Sequence, residues 1–577
     1  MGNYDRRQFL GAVLDATKAN PAADDAIFEK YANHSLPRGL QKTTGTLTSY
    51  SGVWTQAEVI HLLRRTTFGV RPGDVQTLLA MTPGNAVDYL FSNAPSTAPA
   101  PPLNNYYSGG YTDPTGVLPE TTWVNAAVGD GTVNSKRRSS LKSWWMGVLL
   151  NQNCSILEKM NFFWHNHFAT QITVIGDARI AYFHHAMLRA NALGNFKTLA
   201  TLVTKNPAML IYLNGAANTA AAPDENYGRE FQELFTVSKY NNPDYTEDDV
   251  KAAAHVLTGW QLNYATNPVS SKFTPSRHDP TNKQFTSFYN NTVITGQAGA
   301  AGANETDALI NMIFTVAATQ VANWICTKLY RYFVYYDTVT DPSVQANVIN
   351  GMATTLVANN WDVVPVLKQL LKSQHFFDTN SRGCYIRTPL DFFVGSFRTF
   401  GVGLPTSFDT AKTYGAWNVL VADAAANGLD LGEPPNVSGL TAYSQSPEFY
   451  ELWINSNTYP HRLEFLDTML GAGFRTSGSY IKFDVLAFAA TCANVSDPDL
   501  LVQYCCDMLL GIDLSTTQKD AFKVNILLSG QTTNYYWTQA WSDYTTSPSN
   551  VTYKGIVTTR ISSLLTGIMH SAEHMLA

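Results

Sequence analysis

The chain has 577 residues, of which 45% are hydrophobic, 12% aromatic and 15% charged, with a formal net charge of −6. Whole-chain disorder is excluded, because this much apolar material can bury enough surface to offset the entropy lost on folding. The weakly acidic balance, 39 Lys and Arg against 45 Asp and Glu, argues against nucleic acid as a partner. The 6 cysteines form no CxxC pair, so they indicate buried thiols or at most one or two disulfides.

Residues 1–50 are predicted to form an N-terminal arm. Within it, residues 5–11 are similar to the twin-arginine export motif, in which paired arginines precede an apolar run. Asp15 and Lys18 interrupt that run after Leu14, so export with cleavage and retention in the cytoplasm both stay open. No window of 18 or more consecutive apolar residues occurs, which predicts that the chain has no transmembrane segment.

Residues 51–577 are predicted to form a single helical domain. Thr55 and Glu58 match a capping box at the start of the first helix. Apolar residues then recur at spacings of three and four through most of the chain. Helices are predicted from this pattern in segments 139–150, 157–168, 178–192, 226–237, 247–258, 308–334, 342–371, 389–400, 411–426, 461–470, 500–510 and 556–575. Segments 94–133 and 262–304 lack the period and are predicted loop insertions, the second with a short hairpin between about Phe273 and Val293. The fold class is therefore mainly α, one large multi-helical domain with at most a small β-hairpin element.

The first candidate for chemistry is the pair His165 and His167. Successive residues of an α-helix turn by about 100°, so positions two apart cannot both face one ion. If both histidines bind one metal, the helix must end near His165; otherwise one of them is a core side chain. The next predicted helix adds His184 and His185.

The second candidate is the pair Glu230 and Glu233, which lie one turn apart on a predicted helix. Two such carboxylates are metal ligands, an acid and base pair, or partners of arginines such as Arg189 and Arg229. Imidazoles and carboxylates from facing helices suit zinc, iron or manganese.

The third candidate is His278 with Asp279, in the polar insertion, where a histidine beside a carboxylate can act as a ligand or a base. The sequence has no GxSxG elbow, no phosphate-binding GxxxxGK[ST] loop and no GxGxxG turn. Serine-nucleophile chemistry and nucleotide use therefore have no support.

The chain resembles the bacterial family catalogued as domain of unknown function number 1800. The resemblance rests on segments 61–69, 163–170, 192–196, 206–210, 225–236 and 252–260, on His278 with Asp279, and on 434–437, in this order. It implies an exported protein, commonly encoded beside a companion family that is similar to sulfatases, and it implies no established activity. The chain departs from the family pattern at Asn191, where His is usual, at His255, where Arg is usual, and at Gly439 with Leu440, where Gly-Trp is usual.

Two functional interpretations stay open. The first is an exported metal-dependent hydrolase acting on an extracellular or envelope polymer, in which a divalent metal lowers the pKa of bound water from 15.7 to about 7. Its ligands would be His165 and Glu230, then His167, His185 and His278, with Glu233 or Asp279 as general base. The second is a non-catalytic surface or assembly scaffold whose His, Glu and Arg motifs are structural. Its partners would be the sulfatase-like companion or an envelope component, bound through patches such as Tyr106 with Tyr107, Tyr335 with Tyr336, and residues 535–537.

Overall fold

Helices form most of the chain in this computed structural model, which describes residues 46–239, 244–335, 342–440, 450–476 and 478–577. The twin-arginine-like motif lies outside the described residues, so the predicted arm and its role stay predictions. Residues Gly45–Ala577 belong to one compact unit. The fold class is mainly α, as predicted from the apolar period.

The α-helices are numbered here in chain order. They are α1 (Gln56–Thr66), α2 (Pro72–Leu79), α3 (Pro83–Ser92), α4 (Gly131–Leu150), α5 (Leu157–His167), α6 (Ile172–Ile175), α7 (Ala178–Ala190), α8 (Phe196–Thr204), α9 (Pro207–Tyr212), α10 (Asn226–Glu230), α11 (Glu247–Val256), α12 (Asn304–Val316), α13 (Ala318–Phe333), α14 (Pro342–Val344), α15 (Asn350–Ala358), α16 (Val363–Leu371), α17 (Pro389–Thr399), α18 (Thr410–Ala426), α19 (Thr458–Leu470), α20 (Val485–Ala489), α21 (Pro498–Leu509), α22 (Thr516–Ala521), α23 (Tyr535–Thr546) and α24 (Val551–Met569).

Three antiparallel pairs of short strands interrupt the helices. Strands β1 (Trp260–Asn263) and β2 (Ser270–Phe273) pair with Trp260 opposite Phe273. Strands β3 (Lys283–Gln284) and β4 (Val293–Ile294) lie in the segment where a hairpin was predicted, and β5 (Phe474–Thr476) pairs with β6 (Ser479–Ile481). The first and third pairs were not predicted, because strands of three or four residues are too short to show the alternation of a strand.

Polar caps fix where several helices begin. Thr55 and Glu58 form the predicted capping box at α1, and Thr246 with Asp249 forms a second one at α11. In each, a hydroxyl and a carboxylate accept hydrogen bonds from backbone N–H groups that have no partner inside the helix. Helices α2, α3 and α9 begin with Pro at the first helical position, which has no N–H to leave unpaired.

Two long predicted helices are broken in the structure. The segment 308–334 becomes α12 and α13, which bend by 84° at Ala317, and 342–371 is divided between residues 359 and 362. In the part of the chain described here, no single helix has the length and apolar character of a membrane span; α12 and α13 with the preceding turn meet that test only together. Three π-helical segments, Phe231–Thr236, Gln345–Ile349 and Phe522–Leu527, directly follow α10, α14 and α22.

The core runs through the contacts between α4, α5, α7 and α18, around the fully buried Trp145 and Trp164. All six cysteines are buried and none of them forms a disulfide. The long loop 94–130 is held to this core by a buried ion pair in which Arg137 of α4 lies 3.0 Å from Asp113.

Gly69 allows the turn after α1 to pack closely against α17. Its φ is +109°, in the region that favours glycine, and a Cβ there would lie 2.5 Å from the Cα of Gly395 in α17. The glycine that ends the first family motif is therefore needed for backbone packing.

We expect Gly69→Ala to lower the free energy of unfolding by about 3 kcal/mol, because the methyl group overlaps α17 and the backbone conformation is strained. Gly73→Ala is the matched control, since nothing lies within 4 Å of its Cβ, and it should change stability by less than about 1 kcal/mol. Urea unfolding of both variants measures the difference. Equal stability of the two variants would contradict this account of Gly69.

Candidate functional site

His165 and His185 are brought together against one tryptophan. The ring centroid of Trp145 in α4 lies 4.9 Å from that of His165 in α5 and 4.5 Å from that of His185 in α7. Both histidines are buried, with 5% and 3% of their surface exposed. The three helices thus place two predicted metal ligands side by side in the core.

Two hydrogen bonds join polar groups around these histidines. His185 Nε2 is hydrogen-bonded to the Asn161 amide nitrogen at 2.9 Å, and Arg189 donates to Glu158 at 2.7 Å. Burial raises the pKa of Glu158, while Arg189 opposes this shift by favouring the carboxylate. Arg189 thus pairs with Glu158, a residue that the sequence interpretation did not single out.

The imidazoles of this cluster are held neutral. Burial lowers the pKa of His165 to about 3, and His184 beside it contributes to the shift. Burial lowers the pKa of His184 to about 4, although Asn206, which lies 3.0 Å from Nδ1, favours the charged form. Both ring nitrogens of His165 lack a hydrogen-bond partner among the described residues. A neutral imidazole has a free lone pair, which is the form that binds metals.

His167 faces away from this cluster. Helix α5 continues through His167, so the helix does not end near His165, as a shared ion would require. His167 Nε2 donates to the Phe235 carbonyl oxygen at 3.1 Å, and its ring stacks on Phe163. Burial lowers its pKa well below the ordinary value. His167 therefore ties α5 to the π-helical segment 231–236.

Glu230 and Glu233 lie at the junction of α10 with that π-helical segment. Glu233 lies 3.7 Å from Arg229 and 3.4 Å from Lys239. Glu230 is half-buried and forms no ion pair within 4 Å among the residues described; burial, together with Glu233, raises its pKa. Of the two arginines considered as partners, Arg229 contacts this pair and Arg189 does not.

His278 belongs to a third network, which is fully buried. Its Nε2 lies 3.0 Å from Glu305 Oε1, and Lys283 donates to the other oxygen of Glu305 at 2.5 Å. Its Nδ1 lies 3.0 Å from both the hydroxyl and the carbonyl oxygen of Thr258. Glu305 carries no motif signal in the sequence and was not predicted.

Asp279 faces a different partner from its neighbour His278. Its side chain accepts hydrogen bonds from Thr281 and, at 2.6 Å, from His255 Nδ1. Burial raises the pKa of Asp279, but the Thr281 and His255 bonds outweigh burial and bring it to about 2. His255, which stands where the family usually has Arg, thus still supplies a donor to this carboxylate.

The predicted ligands are therefore distributed over four places. His165 and His185 meet at Trp145, whereas His167, the Glu230 and Glu233 pair, and His278 with Asp279 lie in separate networks. Within the described ranges, no three His, Cys, Asp or Glu side chains are grouped so as to hold a metal ion. The single shared site that the sequence suggested is not formed by these residues, and metal binding itself stays a prediction.

The other two departures from the family pattern have structural partners as well. The Asn191 amide donates to the Met187 carbonyl oxygen at 2.8 Å and caps α7. Gly439 has φ +92°, and a Cβ there would lie 2.3 Å from the carbonyl oxygen of Asn166. The next residue, Leu440, donates its N–H to the Asn166 side chain at 2.5 Å.

Comparison with known families confirms the resemblance found in the sequence. The family model described as protein of unknown function (DUF1800) matches residues 61–576. The chain belongs to this family. No curated protein and no solved structure matches the chain.

The buried imidazoles predict acid sensitivity. An unfolded chain binds protons at histidine near pH 6.5, whereas folded His165 does so only near pH 3, so the stability that it contributes above pH 6.5 is lost as the pH falls. Each such histidine lowers the free energy of unfolding by about 1.4 kcal/mol for each pH unit below pH 6.5, down to its folded pKa. Between pH 6 and 4.5 we expect the free energy of unfolding of His165→Leu to fall less steeply than that of the wild type, by about 1.4 kcal/mol per pH unit. An unchanged slope in urea unfolding would show that His165 is not held neutral.

Proposed function

We propose that this protein is a non-catalytic surface or assembly scaffold, in which the polar residues of the family motifs join helices to one another. The observation that carries the proposal is that these side chains bond to the backbone of other motif segments. Trp164 donates to the Ala192 carbonyl oxygen at 2.9 Å, and His167 to that of Phe235. Each bond links two segments that are distant in the sequence.

The segment 432–440 is attached to α5 and α6 in the same way. Gln171 donates to the Pro434 carbonyl oxygen at 2.8 Å, and the Glu433 carboxylate accepts from the backbone and hydroxyl of Thr173. Together with the bond from Leu440 to Asn166, these contacts join residues in and next to the motif at 163–170 to residues in and next to the motif at 434–437. This arrangement supports a packing role for both motifs.

Small residues in the family motifs allow helices to pack closely. A Cβ on Gly228 in α10 would lie 3.2 Å from the backbone nitrogen of Ala254 and 3.3 Å from the carbonyl oxygen of Val250, both in α11. The alanines at 252–254 leave space for this approach. The motif that contains Gly228 therefore fits a close helix crossing as well as it fits an acid and base pair formed by Glu230 and Glu233.

The hydrolase interpretation has weaker support. Metal-assisted hydrolysis needs an open coordination position where water and substrate meet. His165 and His185 are buried, and the carboxylates proposed to join them lie in other networks. The scaffold proposal needs none of these groups to reach solvent.

Solvent exposure decides which of the aromatic residues suggested for docking can contact a partner. Tyr106 and Trp537 are buried and belong to the core, whereas Tyr535 and Tyr536 of α23 are 65% and 45% exposed. Exposed tyrosines contribute large contact area at small entropic cost. We propose α23 as the face that contacts an envelope component or the sulfatase-like companion, and export as the route to that location.

Paired substitutions test the scaffold proposal against the hydrolase. Asn166→Ala should lower the free energy of unfolding by about 2 kcal/mol, because the buried N–H of Leu440 loses its acceptor. Glu230→Gln should stay within about 0.5 kcal/mol, because burial already favours the neutral carboxyl. Urea unfolding measures both.

Elemental analysis of the purified chain completes this test. The scaffold proposal predicts zinc, iron and manganese below about a tenth of an equivalent, since functional metals are near stoichiometric. A stoichiometric metal that is lost in Glu230→Gln or His165→Leu, with the fold retained, would support the hydrolase instead.

A further inference from the structure

A cleft lies on elements that carry none of the candidate site residues. It consists of a cavity of about 530 Å³, between α1 and the segment 510–513, and a second one of about 320 Å³ beside α2 and α21. Gln56, Gln503 and Asp507 line both cavities. We call this feature the Asp507 cleft. Its rim includes exposed residues, among them Thr55 and Thr379, so the cleft is reachable from solvent.

Asp507 is a half-buried carboxylate that lacks, in the described part of the chain, the cation found beside several carboxylates of the core. Glu158, Glu305 and Asp391 are each paired with a lysine or an arginine. Asp507 has no cation within 4 Å among the described residues, and its carboxylate accepts one side-chain hydrogen bond, from Gln503 at 2.6 Å. A partly buried carboxylate without a cation is unstable in its charged form.

The charged groups that face Asp507 are already engaged. Arg64 of α1 donates to the Met508 and Leu576 carbonyl oxygens, and Lys519 of α22 is paired with Asp513 at 2.6 Å. Arg382, on the far wall, is paired with Glu58 at 2.7 Å. Burial and the nearby Asp513 raise the pKa of Asp507 to about 6, although Gln503, Lys519 and Arg64 act in the opposite direction. The cleft therefore contains one carboxylate that lacks a cation.

The remaining walls set the size and polarity of a ligand. Ile60, Leu510 and Ile512 supply apolar surface, and Gln56 and Gln503 supply amides. Cavities of this volume accommodate small organic molecules. Two carboxylates, Asp507 and Asp513, disfavour an anion, and a cationic nitrogen would complete the ion pair that Asp507 lacks.

We propose that the Asp507 cleft binds a small organic primary amine, whose ammonium group pairs with the Asp507 carboxylate beside Gln503. The proposal does not rest on the scaffold role, because the bonds of Trp164, Asn166 and His167 that carry the scaffold proposal lie outside the lining of the cleft, although Arg64 of the motif at 61–69 is part of that lining. An amino sugar and a lysine-type amine share this chemistry, and the experiment separates them.

Binding to the full chain is measured by titration calorimetry at pH 7.0 with two amines and their neutral counterparts. The probes are glucosamine against glucose, and Nα-acetyl-lysine amide against acetyl-norleucine amide. We expect at least one amine to bind at least tenfold more tightly than its counterpart, and the tighter of the two identifies the ligand class. If neither amine binds more tightly than its counterpart at concentrations up to about 10 mM, the proposal is wrong.

Variants and pH locate the binding group. Asp507→Asn should weaken binding of the amine at least tenfold. The variant should keep its fold, since the substitution removes a charge that burial disfavours. Asp513→Asn is the matched control, because its carboxylate on the same wall is paired with Lys519, and it should weaken binding less than about threefold. Unweakened binding to Asp507→Asn would overturn the proposal.

The wild-type chain gives a test that does not depend on any variant. The amine binds only ionised Asp507, so affinity should fall about tenfold between pH 7.0 and pH 5.0, across the pKa of about 6. An affinity that is constant over this range would exclude Asp507 as the partner of the amine.

Discussion

The fold depends on compensating the charged and imidazole side chains that its helices bury in the core. A buried charge is costly unless an opposite charge or several hydrogen bonds compensate it. Arg137 meets this condition with Asp113, and Lys159 meets it with Asp391. Arg462 has no such anion within 4 Å among the described residues and donates instead to the carbonyl oxygens of Arg387 and Trp453. Burial lowers the pKa of Arg462 to about 9, and its bonds to carbonyl oxygens compensate the charge that remains.

The same condition explains why a histidine-rich motif does not by itself make a metal site. A histidine on a core helix can remain neutral, and one hydrogen bond to a carbonyl oxygen, as from His167 to Phe235, is enough to orient it. The sequence singled out His165, His167 and Glu230 as candidates, and its apolar period predicted a helix over 157–168 that includes both histidines. It could not show that His167 donates to the Phe235 carbonyl oxygen, because that bond joins residues that are distant in the sequence. Periodicity along one helix does not show which neighbouring element each face contacts. Only the structure therefore shows that His165 and His167 contact different neighbours.

The fold itself was more predictable than the candidate site. The capping box at Thr55, the acidic first turn of α11 and the apolar period of α5 are local signals, and local contacts decide them. The break at Ala317 and the short helices α8 and α9 were missed, since the first has no proline or glycine and the others are shorter than the window in which a period is detectable. His255 was singled out as a departure from the family pattern, but only the structure shows that its Nδ1 is hydrogen-bonded to Asp279.

The motif side chains that join helices to one another and the carboxylate proposed for binding are mostly different residues, although His61 and Arg64 of the motif at 61–69 also line the Asp507 cleft. A side-chain atom that fixes the packing of two segments is engaged by its partner, as the Asn166 side-chain oxygen is by the Leu440 N–H, and that atom has little capacity left for a ligand. A binding group needs the opposite condition, an interaction left open at a surface that solvent can reach. Asp507 satisfies that condition, and its surroundings in sequence, between Cys506 and Met508 on an apolar helix, give no motif that would mark it. The polar residues of the family motifs therefore fit a role in packing, whereas a carboxylate without a cation beside an open cavity, as at Asp507, fits the binding that we propose.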